Sequence, residues 1–531
     1  MTYPAIPTES ALERLCTLAA EDPDGLLMRS LDTGDELTHR NMLDQVLDWA
    51  GAYKGLGVAR GSVVAVMLGL SPDAYFAWLG IAWLRAVEVP INLDLRGVLL
   101  AHVLRSSGAS TVVCQSRFVE RILEVSAELE ALRTIVVIDE GELPEKLPWK
   151  VLRRDDFFAA RQPAAAVDPP NGHDTAAVVY TSGTTGPSKG VIVPWRELSA
   201  YARCYPAQVA GEAFRMYSPW PVFHVNGKFA LVETLNRHGT MVMRDRWRTE
   251  YFWEDIRNNG VTVAVIIGGI SHFLWSAEPD PRDADNPLEH VLMAPVLPQF
   301  REFEQRFGVK IHTGYASSEA GQPTAAFHPL PNNRTCGRLL AEYELRLVDP
   351  DGNEVGPNTP GEALVSAREP DIMALGYWNM PEATETAWRD GWFHSGDGLM
   401  RDEDGYFYYV DRVRDSLRRR GENISSWELE SLVNGHPDIT ESAAIAVPGD
   451  PGGDDEIMVV IVTRAGSSIS GEELIAYLQP RTPRFMIPRY IRVAGELPRT
   501  HTGRVRKVEL RDVGITADTW DRVEAGIRLP R

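Results

Sequence analysis

For about four hundred residues this chain alternates short apolar runs with longer amphipathic ones, and that rhythm leaves few folds open. SVVAVML at 62–68, STVVC at 110–114, TIVVI at 134–138, AAVVYT at 176–181 and VTVAVII at 261–267 have the length and β-branched content of buried strands. Pro72 to Leu84 reads as a helix, and Phe118, Ile122, Val125 and Leu129 share one face of another. Strands alternating with helices predict parallel α/β layers. No repeat at a fixed period is evident. The character changes after residue 400. DEDGYFYYVDRVRD predicts a hairpin at its DG turn. ENISSWELESLVNGH predicts a helix capped at Ser425 or Ser426, with Leu429 and Leu432 facing inward. SAAIAVPG and EIMVVIVTR follow as strands, and GEELIAYLQP as a helix. The expected fold is α/β: a large N-terminal domain of layered α/β subdomains over 1–411, and a small α+β C-terminal domain over 412–531.

Composition narrows the function classes. Lys and Arg total 54 against 74 Asp and Glu, a formal charge of −20, so general binding to nucleic acid or an anionic membrane is disfavoured. Arg418-Arg419-Arg420 is a local basic cluster that suits either a solvated face or a site. Cys16, Cys114, Cys204 and Cys336 lie far apart and form no CxxC pair, which argues against a zinc site or a disulfide framework. The N-terminus lacks a basic start and an apolar core, and the apolar stretch from Val261 is broken by Ser271 and His272, short of the ~20 residues a membrane span needs. A cytoplasmic protein is expected.

The strongest local signal is Tyr180-Thr-Ser-Gly-Thr-Thr-Gly-Pro-Ser-Lys-Gly190, placed directly after the strand AAVVYT. Its glycines let the backbone turn tightly and aim N–H groups at an anion. Thr181, Ser182, Thr184 and Thr185 offer hydroxyl donors, Gly183 and Gly186 supply turns, and Lys189 adds charge. A Walker A loop would need Gly-Lys followed by Ser or Thr, so this is a different phosphate loop.

This loop resembles the phosphate-binding signature of the adenylate-forming superfamily: acyl-CoA synthetases, adenylation domains and luciferases. Further motifs follow in that superfamily's order. Pro221-Val-Phe-His-Val-Asn-Gly227 resembles the segment whose histidine, here His224, borders the acid. Gly314-Tyr-Ala-Ser-Ser-Glu319 resembles YGxTE, with Ala316 and Ser318 departing from it. That match implies Tyr315 beside adenine, Ser318 at the α-phosphate and Glu319 holding Mg²⁺, a cation that prefers oxygen ligands. Gly391 to Asp397 resembles the segment whose aspartate binds ribose hydroxyls. Asp411-Arg412-Val-Arg414-Asp resembles the hinge motif, so Arg412 matches a ribose or phosphate contact and Arg414 the hinge position. Gly421 matches a backbone position lining the pantetheine channel. Leu497 to Lys507 resembles PxTxxGKxxK, but Arg504 stands where the superfamily's essential lysine is found. Arginine keeps the charge in a longer, forked and planar form, so the exchange is not neutral.

The resemblance implies ATP, Mg²⁺ and CoA acting on a small-molecule acid. MAPVLP at 293–298, RRRGENISS at 418–426 and ADTWDR at 517–522 look most like the bacterial carnitine/crotonobetaine-CoA ligase group. By position, the acid pocket draws on His224, Asn226, Lys228, Gly268, Gly269 and Ala294. Lys228 suits either an anionic substrate group or a solvated surface. The two glycines suit either a flat, aromatic substrate or a tight turn after a strand. Arg504 keeps two alternatives open: a diazotase that uses nitrite and an aromatic amine without CoA, and a nucleotide-binding pseudoenzyme.

Overall fold

The computed structural model describes residues 5–164, 169–181, 187–201, 203, 205–267, 269–412, 416–419, 422–449, 455–464, 466–498, 505 and 507–529. The chain divides into two compact units. The larger holds Met1–Leu93, Leu104–Tyr180 and Gly190–Asp411; the smaller holds Asp94–Val103, Thr181–Lys189 and Arg412–Arg531.

The larger unit contains two principal sheets. The first is a five-stranded parallel sheet in the spatial order Val87–Pro90, Val63–Met67, Thr111–Cys114, Thr134–Val137 and Lys150–Arg153. Its central strands are nearly wholly buried, as continuous Val/Ile runs covered on both faces must be. The helix Pro72–Trp83 beside it is buried on every residue but Asp73, which explains its lack of amphipathic contrast. The stretch around Phe118 to Leu129 departs from the single helix its spacing predicts. It forms the helix Val119–Glu124 flanked by the 3₁₀ turns Ser116–Phe118 and Ser126–Glu128.

The second sheet changes character along its width. Met28, Met216, Val263, His290 and Lys310 start parallel ladders that run, in space, through Leu26–Ser30, Thr240–Met243, Arg215–Ser218, Val263–Ile267, His290–Ala294 and Lys310–Ser317. From Lys310–Ser317 onward the pairing turns antiparallel, through Gly321–Ala326, Thr335–Leu339, Tyr406–Arg412, Trp392–Arg401, Gly361–Ala367 and Tyr343–Val348. In this half the chain crosses from Thr335–Leu339 to the far strand Tyr343–Val348 and returns strand by strand to pair Tyr406–Arg412 with Thr335–Leu339, an order not evident from the alternation of strands and helices. The predicted hairpin near residue 404 is its pair Trp392–Arg401 and Tyr406–Arg412.

The smaller unit carries the four-stranded sheet Ile439–Val447, Glu456–Thr463, Tyr490–Val493 and Trp520–Asp521, plus the hairpin Ser416–Arg419 with Glu422–Ser425. Leu429 and Leu432 of the helix Ser426–Asn434 are buried in its core with Ile424, Ile457 and Leu474, as their spacing predicts. Ser470 caps the helix Gly471–Leu478 through a reciprocal pair with Glu473. Among the described residues no helix is long and apolar enough to cross a membrane.

Candidate active site

Parallel strands direct their carboxyl ends, and the loops that follow them, to one edge, where α/β sheets commonly bind ligands. In the larger unit that edge gathers the nominated residues. His224 follows Arg215–Ser218, Ile267 precedes Gly268 at the end of Val263–Ile267, and Ala294 ends the neighbouring His290–Ala294 in register with Ile267. Tyr315, Ser318 and Glu319 follow on the next strand, Lys310–Ser317. Four segments that lie far apart in sequence thus end side by side because their strands pair in parallel.

His224 is the N-cap residue of the helix Val225–Asn236, and its ring lies 4.7 Å from that of Phe223. Asn226 is half-buried in the first turn of that helix. Gly227 is required there, since a Cβ would come within 2.3 Å of the Pro221 carbonyl oxygen. The Tyr75 hydroxyl donates to the Gly227 carbonyl at 2.9 Å and fixes the turn from below. Gly269 opens the helix Gly269–Ser276.

Lys228 is placed differently from either expectation. It is fully buried and pairs at 2.5 Å with Glu88, itself 1% exposed, while its ammonium lies 4.0 Å above the Trp78 ring. Burial draws both partners towards their neutral forms, and their mutual attraction opposes it. The charge is therefore engaged by a fixed carboxylate in the core. Sequence position gave no hint, because Glu88 lies 140 residues away in the strand Val87–Pro90.

On the nucleotide side, the Tyr315 hydroxyl donates to Asp397 Oδ2 at 2.6 Å. Both residues are buried, and they come from the strands Lys310–Ser317 and Trp392–Arg401. The pairing Ser317 with Gly321 leaves Ser318, Glu319 and Ala320 as the turn between two antiparallel strands. The Ala320 amide donates to Ser317 Oγ at 3.1 Å and the Ala374 amide to the Glu319 carbonyl at 3.1 Å. The Tyr377 hydroxyl donates to Glu319 Oε1 at 3.3 Å. A half-buried carboxylate held this way is a hard oxygen donor of the kind magnesium takes, so the residue fits that ion.

The helix Trp195–Tyr201 supplies residues that motif matching passed over. Tyr201 donates its hydroxyl to the Ser317 carbonyl. Glu197 is fully buried, and neither of its carboxylate oxygens has a hydrogen-bond partner among the described residues. Burial first, and then the neighbouring Glu319 carboxylate, push Glu197 well above the usual carboxylate range. No sequence signal marked it, because burial of the whole helix Trp195–Tyr201 is set by the fold.

Thr181 ends the strand Thr175–Thr181, and Lys189 opens the strand Lys189–Pro194 that pairs with it. Gly190 fits flat against Val178 and Tyr180, where a Cβ would meet side-chain atoms at 2.7 and 2.9 Å. In the smaller unit the Ser188 amide donates to Glu428 Oε1 at 2.7 Å, and burial raises Glu428 to about 7. Arg412 ends the strand Tyr406–Arg412. Ser182, Gly183, Thr184, Thr185, Gly186, Gly268, Arg414, Gly421 and Arg504 lie outside the described residues.

Comparison with known proteins bears on the family and the fold. The AMP-binding enzyme family model matches residues 17–378, and the AMP-binding enzyme C-terminal domain model matches residues 428–504. A crotonobetaine/carnitine–CoA ligase from Salmonella heidelberg (strain SL476) is 28% identical over 487 residues, covering 90% of this chain and 93% of that protein. A double mutant of o-succinylbenzoate CoA synthetase from Bacillus subtilis superimposes with a TM-score of 0.79 at 20% identity, covering 94% of this chain and 98% of that one. The amide bond synthetase McbA from Marinactinospora thermotolerans gives 0.78 at 21% identity, with 95% and 99% covered. These two structures share the fold. With the family model spanning more than half of its length, and with the motifs in that order along it, the chain belongs to the AMP-binding enzymes, the adenylate-forming superfamily.

Proposed function

We propose that this enzyme activates a small carboxylic acid with ATP and transfers the acyl group to CoA. The observation that carries the reading is the convergence of His224, Ala294, Tyr315, Ser318 and Glu319 at the carboxyl edge of adjacent parallel strands. An acid and a nucleotide bound there would meet at the ends of neighbouring strands. ATP carries about four negative charges on its triphosphate, so a carboxylate nucleophile is repelled until charge is neutralised. Glu319 would hold Mg²⁺, which when bound supplies part of that neutralisation. Lys189, Arg412 and Arg504 would supply the rest. Asp397 would accept from the ribose hydroxyls, Tyr315 would border adenine, and Ser318 would donate to the α-phosphate.

In the first half-reaction a carboxylate oxygen attacks the α-phosphorus and pyrophosphate leaves, held by Thr181, Ser182, Gly183, Thr184, Thr185 and Gly186. The product is a mixed anhydride. His224, Asn226, Gly268, Gly269 and Ala294 would line the acyl side. In the second half-reaction the CoA thiolate attacks the acyl carbon and AMP leaves. The small C-terminal domain would rotate about Arg414 between the two steps, bringing Gly421 to the pantetheine arm. Lys228 is assigned to the core and not to substrate.

The test is pyrophosphate release from ATP and Mg²⁺ across a panel of small acids, each alone, with CoA, and, for aromatic amino acids, with nitrite. Acid-dependent release that yields a thioester supports the reading. Release that needs nitrite and ignores CoA replaces it, and no release with any acid leaves a nucleotide-binding protein without this activity. In the active enzyme, Asp397→Ala is expected to lower kcat/KM for ATP about a hundredfold, as loss of a charged hydrogen-bonding partner to a substrate does.

A further inference from the structure

The turn from Pro221 to Gly227, which carries His224 and Asn226, is folded on itself. The His224 amide donates to the Pro221 carbonyl and the Gly227 amide to the His224 carbonyl, both at 3.1 Å. Gly227 is the hub. A Cβ on it would come within 2.3 Å of the Pro221 carbonyl oxygen and 2.6 Å of the Trp220 one, so Gly227 cannot move without displacing the residues before it. Its own carbonyl accepts the Tyr75 hydroxyl at 2.9 Å, a buried bond between residues 152 positions apart.

The next residue is anchored to the same support. Tyr75 and Trp78 lie three residues apart in the helix Pro72–Trp83 and share one face of it. The Lys228 ammonium lies 4.0 Å above the Trp78 ring and pairs with Glu88 at 2.5 Å. The Trp78 indole N–H donates at 2.8 Å to the carbonyl of Ala176, in the strand that leads into the phosphate loop. One helix face therefore holds both the His224 turn and the strand before that loop. Tyr53 is the contrast in the same core. Its hydroxyl is equally buried and has no hydrogen-bond partner among the described residues.

We propose that Tyr75 is a positioning residue for the acid: its hydroxyl, through the Gly227 carbonyl, sets where His224 and Asn226 stand against the acyl group. The inference rests on the proposed function, in which those two residues line the acyl side. Tyr75 touches no substrate and acts only through the turn. A misplacement of about 1 Å at a reacting group costs on the order of a hundredfold in rate, so loss of one anchoring bond is large enough to be read. The turn serves the acid and not the nucleotide, so the effect is selective.

The experiment measures pyrophosphate release by the full-length enzyme and by Tyr75→Phe, Tyr53→Phe, Gly227→Ala and the double variant Tyr75→Phe with Gly227→Ala. The acid is the one of the panel above, acetate, butyrate, hexanoate, benzoate and 4-aminobenzoate among them, that the wild type turns over fastest. Tyr75→Phe is expected to raise KM for that acid about fivefold, with KM for ATP within twofold. Tyr53→Phe removes an equally buried hydroxyl that makes no bond to the turn, and both constants stay within twofold. Gly227→Ala displaces the turn directly and lowers kcat/KM for the acid about tenfold or more. Adding Tyr75→Phe to it costs less than a further twofold, because the two act through one turn. Tyr75→Phe kinetics like those of the wild type would overturn the inference. So would an equal rise in both KM values, or a fall in kcat with both KM values unchanged, since either makes Tyr75 generally structural. Independent, multiplying losses in the double variant would overturn it as well. If Gly227→Ala does not fold, the Tyr75→Phe and Tyr53→Phe arms decide the matter alone. A wild type that releases pyrophosphate with no acid of the panel overturns the function itself, and this inference with it.

Discussion

Two buried acids on the same side of the larger unit are treated in opposite ways. Glu88 meets Lys228 at 2.5 Å beneath the helix Val225–Asn236, with Trp78 closing over the ammonium. Glu197 has Tyr201, Tyr343 and Glu319 around it and no salt bridge or hydrogen-bond partner for its carboxylate among the described residues. The Trp78 ring also stacks at 5.1 Å on Trp195, the first residue of the helix that carries Glu197. An ion pair of this kind satisfies its own burial, so it speaks for packing and register. A buried acid without a cation gives up stability, and proteins retain such groups where a site needs them.

The sharpest break of this comparison is to orphan one member of the pair. Lys228→Met leaves Glu88 buried without its partner and is expected to cost about 3–5 kcal/mol, read as a lowered urea midpoint. The double variant Lys228→Met with Glu88→Leu should recover most of that loss. A double variant as unstable as the single one would show that the pair does more than neutralise itself.

A third kind of buried polar group, neutral in the fold, gives an intermediate effect. His290 Nδ1 lies 2.9 Å from His312 Nε2, and the His328 amide donates to His312 Nδ1 at 3.2 Å. Burial lowers His290 to about 4 and His312 to about 3. The unfolded chain then binds more protons than the folded one between these values and about 6.5, so stability rises with pH through that window and is complete above it. Acidification from pH 7 to 5.5 is expected to cost about 2.5 kcal/mol through this pair. His290→Gln should flatten that slope by about half, measured as urea midpoints across the range. An unchanged slope would assign the acid sensitivity to other groups.

The smallest expected effect falls on the buried acid that has no salt bridge among the described residues. Glu197→Leu should change stability by no more than about 1 kcal/mol, or raise it, because an aliphatic group replaces a desolvated carboxyl of similar size. A loss above about 3 kcal/mol would place Glu197 with Glu88, as a structural group whose partner is essential to the core.

Much of this was legible beforehand for a physical reason. Val63–Met67, Thr111–Cys114 and Val263–Ile267 are continuous β-branched runs, and such runs favour buried parallel strands wherever they occur. Leu429 and Leu432 follow helical spacing, and both are buried. The antiparallel half from Gly321 to Arg401 was less legible, because GQPTAA and TCGRL carry weak strand signals and owe their pairing to neighbours. Local motifs marked Tyr315, Ser318, Glu319 and Asp397, yet no motif joined Tyr315 to Asp397 across 82 residues.

By itself, then, the sequence determined the elements with strong local periodicity, the order of the nucleotide motifs and the family to which they point. These follow from hydrogen bonds, side-chain volumes and turns acting over a few residues. The tertiary structure decided which strand ends share an edge, that Lys228 belongs to Glu88, and that Glu197 and Tyr201 stand behind the Ser318–Glu319 turn. The last two depend on contacts between segments more than 100 residues apart, where burial sets the cost of every charge and only the fold says which partner is within reach.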